Sequence, residues 1–216
     1  MPEKRILRQN KKFTSFFKER GMVQSLKAME LVDRFHIGKR RGGDPESSHL
    51  YEVAGQSLLM LEGLMTLEEL DCLVAGSFMH DLVEDYYDVY PSSSLEEDFS
   101  TNVYEIVMNV CKPEGFKKVK EDYEKYYKMV SKDIRSIFMK LSDRIHNLST
   151  CVGGMSNKRI LEYCDETELY MYPMISKARK ENEKYYMVLT GMKQQLKYRI
   201  KMSRMLVELI ELKKQN

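Results

Sequence analysis

The amino-acid sequence predicts an all-α fold, a helical bundle with an extra basic helix at its C-terminal end. Three observations predict it. Apolar residues recur three or four apart through nearly every segment, as at Phe16, Phe17, Val23, Leu26, Met29, Val32 and Phe35, the period of a helix with one buried face. No stretch sustains the one-in-two alternation of a half-buried strand. The chain of 216 residues holds only 5 Pro and 11 Gly, too few for a loop-rich β protein. Its 43% apolar content can bury a core, which excludes wholesale disorder, and its 31% charged content can cover the surface. The length suits one domain with decoration. We divide it into residues 1–180 and an extension at 181–216.

Taken in order, Phe13 to Phe35 reads as one helical segment. Gly38 to Pro45 carries glycines and a proline and reads as a loop. A second helix is predicted from Ser47 or Ser48 to about Glu62, with Leu50, Val53, Ala54, Leu58 and Leu61 inward. A third is predicted from Thr66 to Asp85, because Thr66 followed by Glu69 is the spacing of a capping box. Pro91 to Ser94 is a loop or the cap of a short helix. Val103 to Val110 has helical spacing, interrupted at Pro113 and Gly115. Lys117 to Ser149 can hold one long helix or two. Gly153 and Gly154 break the pattern, and Lys158 to Lys180 resumes it, with Pro173 kinking that segment or starting a new helix. Glu181 to Leu212 is a final helix.

Charge and targeting signals narrow the function classes. The formal net charge is +2, which argues neither for nor against an anionic partner. The ends are locally basic, with seven Lys/Arg against two Glu in residues 1–20 and eleven against four from Lys177 onward. The simplest reading is solvated helix faces; no recognisable nucleic-acid motif accompanies them. The C-terminal helix is left for a protein partner or a second copy of the chain. No run of 18 apolar residues exists to span a membrane. The charges of Met1 to Arg8 are followed by no apolar signal region, so a cytoplasmic setting is expected. The cysteines, Cys72, Cys111, Cys151 and Cys164, show no C-x-x-C spacing, so neither a zinc ribbon nor a dithiol redox site is expected.

The chemistry lies between Arg40 and Tyr163. On one helix, His80 and Glu84 would be i, i+4 neighbours, as would Asp81 and Asp85. One His, two Asp and one Glu beside Leu73, Val74, Phe78, Leu82 and Val83 are costly unless solvated, hydrogen-bonded or metal-bound. Lys140, Asp143 and Asn147 share another helical stripe. His49 follows the glycine loop. Together His49, His80, Asp81 and Asp143 would form a mixed nitrogen and oxygen site, suited to Mn, Fe, Co or Zn rather than Ca. A single His–Asp pair is most often an ion pair or a satisfied imidazole. His36 and His146 read as structural or supporting.

This ordered set resembles the HD-domain phosphohydrolases, and within them the alarmone hydrolases of the Rel/SpoT type. His49, then His80-Asp81, then Asp143 follow the H…HD…D order of that superfamily. Arg40 to His49 is similar to the R-x-x-G-x-P-x-x-x-H segment of the alarmone branch, with Gly43 and Pro45 in place. Met79 to Asp85 is similar to its LHDvvED helix, Val110-Cys-Lys112 to its V-T-K turn, and Lys140 to Asn147 to its KLADRLHN helix. Arg159 to Tyr163, Glu166-Thr167 and Pro173 match the segment that follows. The likeness covers about residues 25–177. Leu50 stands where proline is usual, and Tyr86 where threonine is common.

The resemblance implies hydrolysis of the 3′-pyrophosphate of (p)ppGpp-type alarmones with a divalent metal, Mn²⁺ as the usual one. It implies His49, His80, Asp81 and Asp143 as metal ligands, and Glu84 or Asp85 as the group that handles the attacking water or the leaving group. Arg40, Arg41, Lys112, Lys140, Arg144 and Arg159 are the expected cations around the phosphates. Asn147 and Tyr163 would hold the ribose and nucleobase. Two other readings stand beside it: an HD phosphohydrolase acting on ppApp, NADPH or a nucleoside phosphate, and a non-catalytic nucleotide-binding or interaction protein.

Overall fold

The structure, a computed structural model, describes residues 2–40 and 43–215, with side chains from 7 to 40 and from 43 to 214. Among the described residues there is no strand; the one pairing of extended backbone is the bridge between Lys39 and Pro45. Twelve α-helices are named here in chain order: α1 (Pro2–Arg20), α2 (Val23–Phe35), α3 (Glu46–Leu61), α4 (Leu67–Met79), α5 (Leu82–Asp85), α6 (Ser92–Asp98), α7 (Thr101–Val110), α8 (Lys120–Val130), α9 (Ile134–Thr150), α10 (Asn157–Glu166), α11 (Tyr172–Glu181) and α12 (Tyr186–Gln215). No helix among the described residues is long and apolar enough to cross a membrane.

The chain forms two compact units, Met1–Lys140 and Leu141–Asn216. The division falls inside α9. In the first unit α4 is the central helix, packed by α2, α3 and α7. Its residues from Leu70 to Met79 are all buried. A helix apolar on every side is stable only when neighbours cover every side. Gly76 permits the tightest of these approaches, since a Cβ there would lie 2.8 Å from the Ile106 side chain of α7. Phe13, Phe17, Tyr51 and Phe78 form an aromatic cluster, with centroids 5.3 Å apart for Phe13–Phe17 and for Tyr51–Phe78. Buried Asp71 of α4 accepts hydrogen bonds from the backbone N–H groups of Gln24 and Ser25 and from the Ser25 hydroxyl (3.1, 2.8 and 2.6 Å). It thereby caps the start of α2, where Met22 offers no side-chain cap.

In the second unit α12 packs on α10 and α11. Leu189, Met192, Leu196, Ile200 and Val207 form its buried stripe. Between α10 and α11 the backbone widens into a π turn, Thr167–Met171. Pro173, at the start of α11, has no N–H to give the carbonyl of Leu169, and the widened turn accommodates the break.

Several sequence expectations are corrected at their edges. Phe13 to Phe35 is two helices, because Gly21 takes φ +70° between them. The helix expected from Thr66 to Asp85 starts as foreseen: Glu69 N–H donates to Thr66 Oγ1 and Thr66 N–H to Glu69 Oε2. It ends at Met79, and a turn at His80-Asp81 separates it from the four-residue α5. Lys117 to Ser149 holds two helices, α8 and α9.

Candidate functional site

The site in the first unit is built from two helix ends. His49 lies in the opening turn of α3, which follows Pro45, and is only 4% exposed. His80 sits where α4 stops, carried into the core by the most buried helix of the unit, and is 5% exposed. Its Nδ1 lies 2.8 Å from the backbone oxygen of Ser77. A carbonyl oxygen only accepts, so Nδ1 donates, and in the neutral imidazole the lone pair is then on Nε2. That Nε2 stands 3.1 Å from Asp81 Oδ1, and His49 Nε2 stands 3.5 Å from Asp81 Oδ2. The two rings meet edge to face with centroids 5.4 Å apart. One nitrogen of each lies within 4.8 Å of the other.

This donor set fits a divalent cation. Two imidazole nitrogens converge on both oxygens of one carboxylate. A nitrogen lone pair facing a carboxylate oxygen is repulsive unless a proton or a cation lies between them. Imidazole and carboxylate donors suit borderline divalent metals. Cys111, whose Sγ is 3.9 Å from the His80 carbonyl oxygen, is not a ligand of the same kind. Burial, then the Glu84 charge, push its thiol up to about 12, so it stays protonated.

Beside this trio is the acidic pair. Asp85 N–H donates to the Asp81 carbonyl at 2.8 Å, so the two residues stay one turn apart although the long helix is interrupted. The carboxylates of the pair differ in their surroundings. Glu84 Oε1 accepts the backbone N–H of Lys112 at 2.9 Å. Asp85 is pushed up to about 6, chiefly by desolvation and then by the charges of Asp81, Glu84 and Glu46.

Sequence reasoning gave no site role to Glu46 and Tyr86. The Tyr86 hydroxyl donates to Glu46 Oε2 at 2.9 Å. Buried His36 packs edge-on against the Tyr86 ring, centroids 4.9 Å apart, and its burial pushes its pKa down. The signal was the position of Tyr86 directly after the acidic pair. A phenol there reaches Glu46, which a smaller hydroxyl could not do from the same backbone position.

The remaining expected residues are distributed as follows. Arg40 is half-buried, and its N–H donates to the Asp44 carbonyl in the loop before α3. Arg41 lies outside the described residues. Lys112 is exposed after the end of α7. Lys140 Nζ stands 5.8 Å from the centre of the Tyr126 ring. In the second unit, buried Asp143 accepts a hydrogen bond from the Asn147 amide at 2.5 Å. Tyr163 is stacked by two guanidinium groups, Arg144 at 4.2 Å and Arg159 at 4.3 Å from its centroid. Arg144 is the more enclosed of the two. Its side chain is 4% exposed and is held by Glu166 Oε1 (2.5 Å), Thr167 Oγ1 (3.0 Å) and the Tyr163 carbonyl (3.0 Å). These partners make it an internal strut of the second unit. Arg159 also pairs with Glu162 at 2.9 Å but keeps a quarter of its side-chain surface exposed.

Comparison with known proteins agrees with this geometry. A family profile described as "HD domain" matches residues 28–168. The guanosine-3′,5′-bis(diphosphate) 3′-pyrophosphohydrolase of Haemophilus influenzae is 30% identical over 142 residues, 62% of this chain and 20% of that protein. The GTP pyrophosphokinase of Myxococcus xanthus is 31% identical over 151 residues, 65% of this chain and 19% of that protein. The chain thus spans a fifth or less of the length of these relatives. The fold is shared with the solved structure of a metazoan ortholog of SpoT that hydrolyzes ppGpp and plays a role in starvation responses. The TM-score is 0.59 at 20% identity, over 80% of this chain and 95% of that one. With the profile matching well over half of the chain, and with an HD dipeptide at the centre of the described site, the chain belongs to the HD-domain family.

Proposed function

We propose that this chain is a metal-dependent phosphohydrolase that releases pyrophosphate from the 3′ position of (p)ppGpp-type alarmones, with Mn²⁺ as its metal. The observation that carries the reading is the Asp81 carboxylate with an imidazole Nε2 on each oxygen, His49 and His80. The relatives named for guanosine 3′,5′-bis(diphosphate) chemistry support the substrate class. On this reading Asp143, the fourth position of the motif, completes the ligand set. The four cysteines, all buried and none in a disulfide, fit a reducing, cytoplasmic setting.

A divalent ion bound there lowers the pKa of water and polarises a phosphoryl oxygen. The chain's own groups then do the rest. The Ser77 carbonyl fixes the His80 tautomer. Glu84, tied to the Lys112 N–H, positions the Lys112 segment against the acidic pair. Asp85, poised near neutrality, exchanges the proton between the attacking water and the departing 3′ oxygen. Arg40, Arg41, Lys112, Lys140 and Arg159 offset phosphate charge. Asn147 and Tyr163 hold the nucleoside, with Arg144 stiffening Tyr163 from behind.

The test is pyrophosphate release from ppGpp by the purified chain with Mn²⁺, with and without chelator. Release that stops on chelation is expected, and Asp81→Asn should abolish it while leaving the helical circular dichroism intact. No release from ppGpp would overturn the substrate assignment, and release from ppApp or NADPH alone would reassign it. A fully active Asp81→Asn variant would refute the ligand set.

A further inference from the structure

The helix α12 carries two apolar stripes on opposite faces. The first is the buried one, Leu189, Met192, Leu196, Ile200 and Val207. The second is Tyr198, Met202, Met205 and Leu209, exposed by 62%, 53%, 46% and 53%. At 3.6 residues per turn it lies about half a turn from the first. Its spacing is four, three, four, and the next step of three reaches Leu212. That is a heptad seam, the pattern by which one helix packs along another. Covering one face of α12 needs only the first stripe. The second is about half exposed along its length, and apolar residues concentrated on one exposed line mark an association surface.

The charges beside the seam indicate what covers it. If Met202 and Leu209 take the a positions, and Tyr198 and Met205 the d positions, then Glu208 falls at g and Lys213 at e. In two parallel helices, g of one faces e of the next heptad in the other. Glu208 would therefore meet Lys213 of a second copy, and by the two-fold axis the pair occurs twice. A surface that is complementary to itself in this way suits an isologous dimer. We infer that the chain associates with a second copy of itself through a parallel pairing of α12 along the stripe Tyr198, Met202, Met205 and Leu209. The seam is roughly 20 Å long and one helix wide, less than the ~800 Å² per partner of a standard interface. The dimer is accordingly weak, with a dissociation constant in about the micromolar range or above.

Sedimentation equilibrium of the purified full chain, from low micromolar to several hundred micromolar, tests this. The expected result is a monomer–dimer equilibrium. Met205→Glu combined with Leu209→Glu should weaken it by about tenfold or more, since two charges would enter the seam. Both residues are about half exposed, so the melting temperature should hold. Glu208→Lys alone should also weaken association, and adding Lys213→Glu should restore it. A chain that stays monomeric over the whole range overturns the inference. So does a dimer indifferent to the double glutamate variant, or a monomer that instead co-sediments with anionic phosphatidylserine vesicles through this stripe. Failure of the reciprocal charge reversal to restore the dimer overturns the parallel pairing. None of these readouts depends on hydrolytic activity.

Discussion

Replacing Arg144 by leucine should unfold the second unit far more readily than its surface charges would suggest. The Arg144 and Glu166 side chains are 4% and 7% exposed and pair at 2.5 Å. Removing the guanidinium takes the charged partner from the buried Glu166 carboxylate and one hydrogen bond each from Thr167 Oγ1 and the Tyr163 carbonyl, which keep the 2.7 Å bond between them. Breaking one partner of a buried pair costs about 3–5 kcal/mol. A loss of that size lowers the melting temperature of a chain of this length by about 10 °C or more. Glu166→Leu added to Arg144→Leu removes the stranded charge, and apolar replacement of a whole buried pair is close to neutral. The double variant should therefore recover much of the loss. Urea denaturation followed by circular dichroism, with hydrogen exchange over α9 and α10, measures the cycle. A single variant costing less than about 1 kcal/mol, or a double variant whose cost equals the sum of the singles, would refute the strut. Arg144→Lys separates this role from a substrate contact. A strut loses stability and catalytic turnover together, whereas a phosphate contact would raise KM at unchanged stability.

Other expectations follow from single observations. Asp85 is raised to about 6 in the folded chain, so the native state binds the extra proton between the ordinary carboxylate range and pH 6. Stability of the metal-stripped protein should thus fall as pH rises through that window. Asp85→Asn should flatten the slope, by under about 1 kcal/mol because the side chain is only partly buried and solvent screens it, and should also suppress hydrolysis. A denaturation series in chelator at pH 4 to 8 reads this. Asp98 shifts the other way, held low first by its hydrogen bond from Lys27. Its contribution is present above the usual carboxylate range and lost as pH falls through its lowered pKa. Lys27→Met should remove that acid dependence at a cost of a few tenths of a kcal/mol, the pair being partly exposed. Gly76→Ala should cost about 1–3 kcal/mol in thermal melts, because the new methyl meets the Ile106 side chain of the packed helix α7. Unchanged melting would mean that α4 and α7 can separate freely.

The local order of this protein was legible in the residues themselves. The all-α class, the capping box at Thr66, the glycine loop before His49 and the breaks near Pro113 and Gly153 follow from period, caps and turn chemistry, which act over a few residues. The chemistry-bearing words His80-Asp81 and Glu84-Asp85 stand in the chain for the same reason. Tertiary structure decided the rest. The interruption after Met79 is not encoded by any breaker in Phe78 to Leu82. The sequence treats Arg144 and Arg159 as equivalent cations. Burial beside Glu166 makes the first a strut, and partial exposure leaves the second available, a distinction that rests on which neighbours exclude water. Glu46 and Tyr86, 40 residues apart, meet only once α3 and the turn after α5 are brought together. Contacts between distant residues depend on packing of the whole unit, and no local pattern of spacing carries that information.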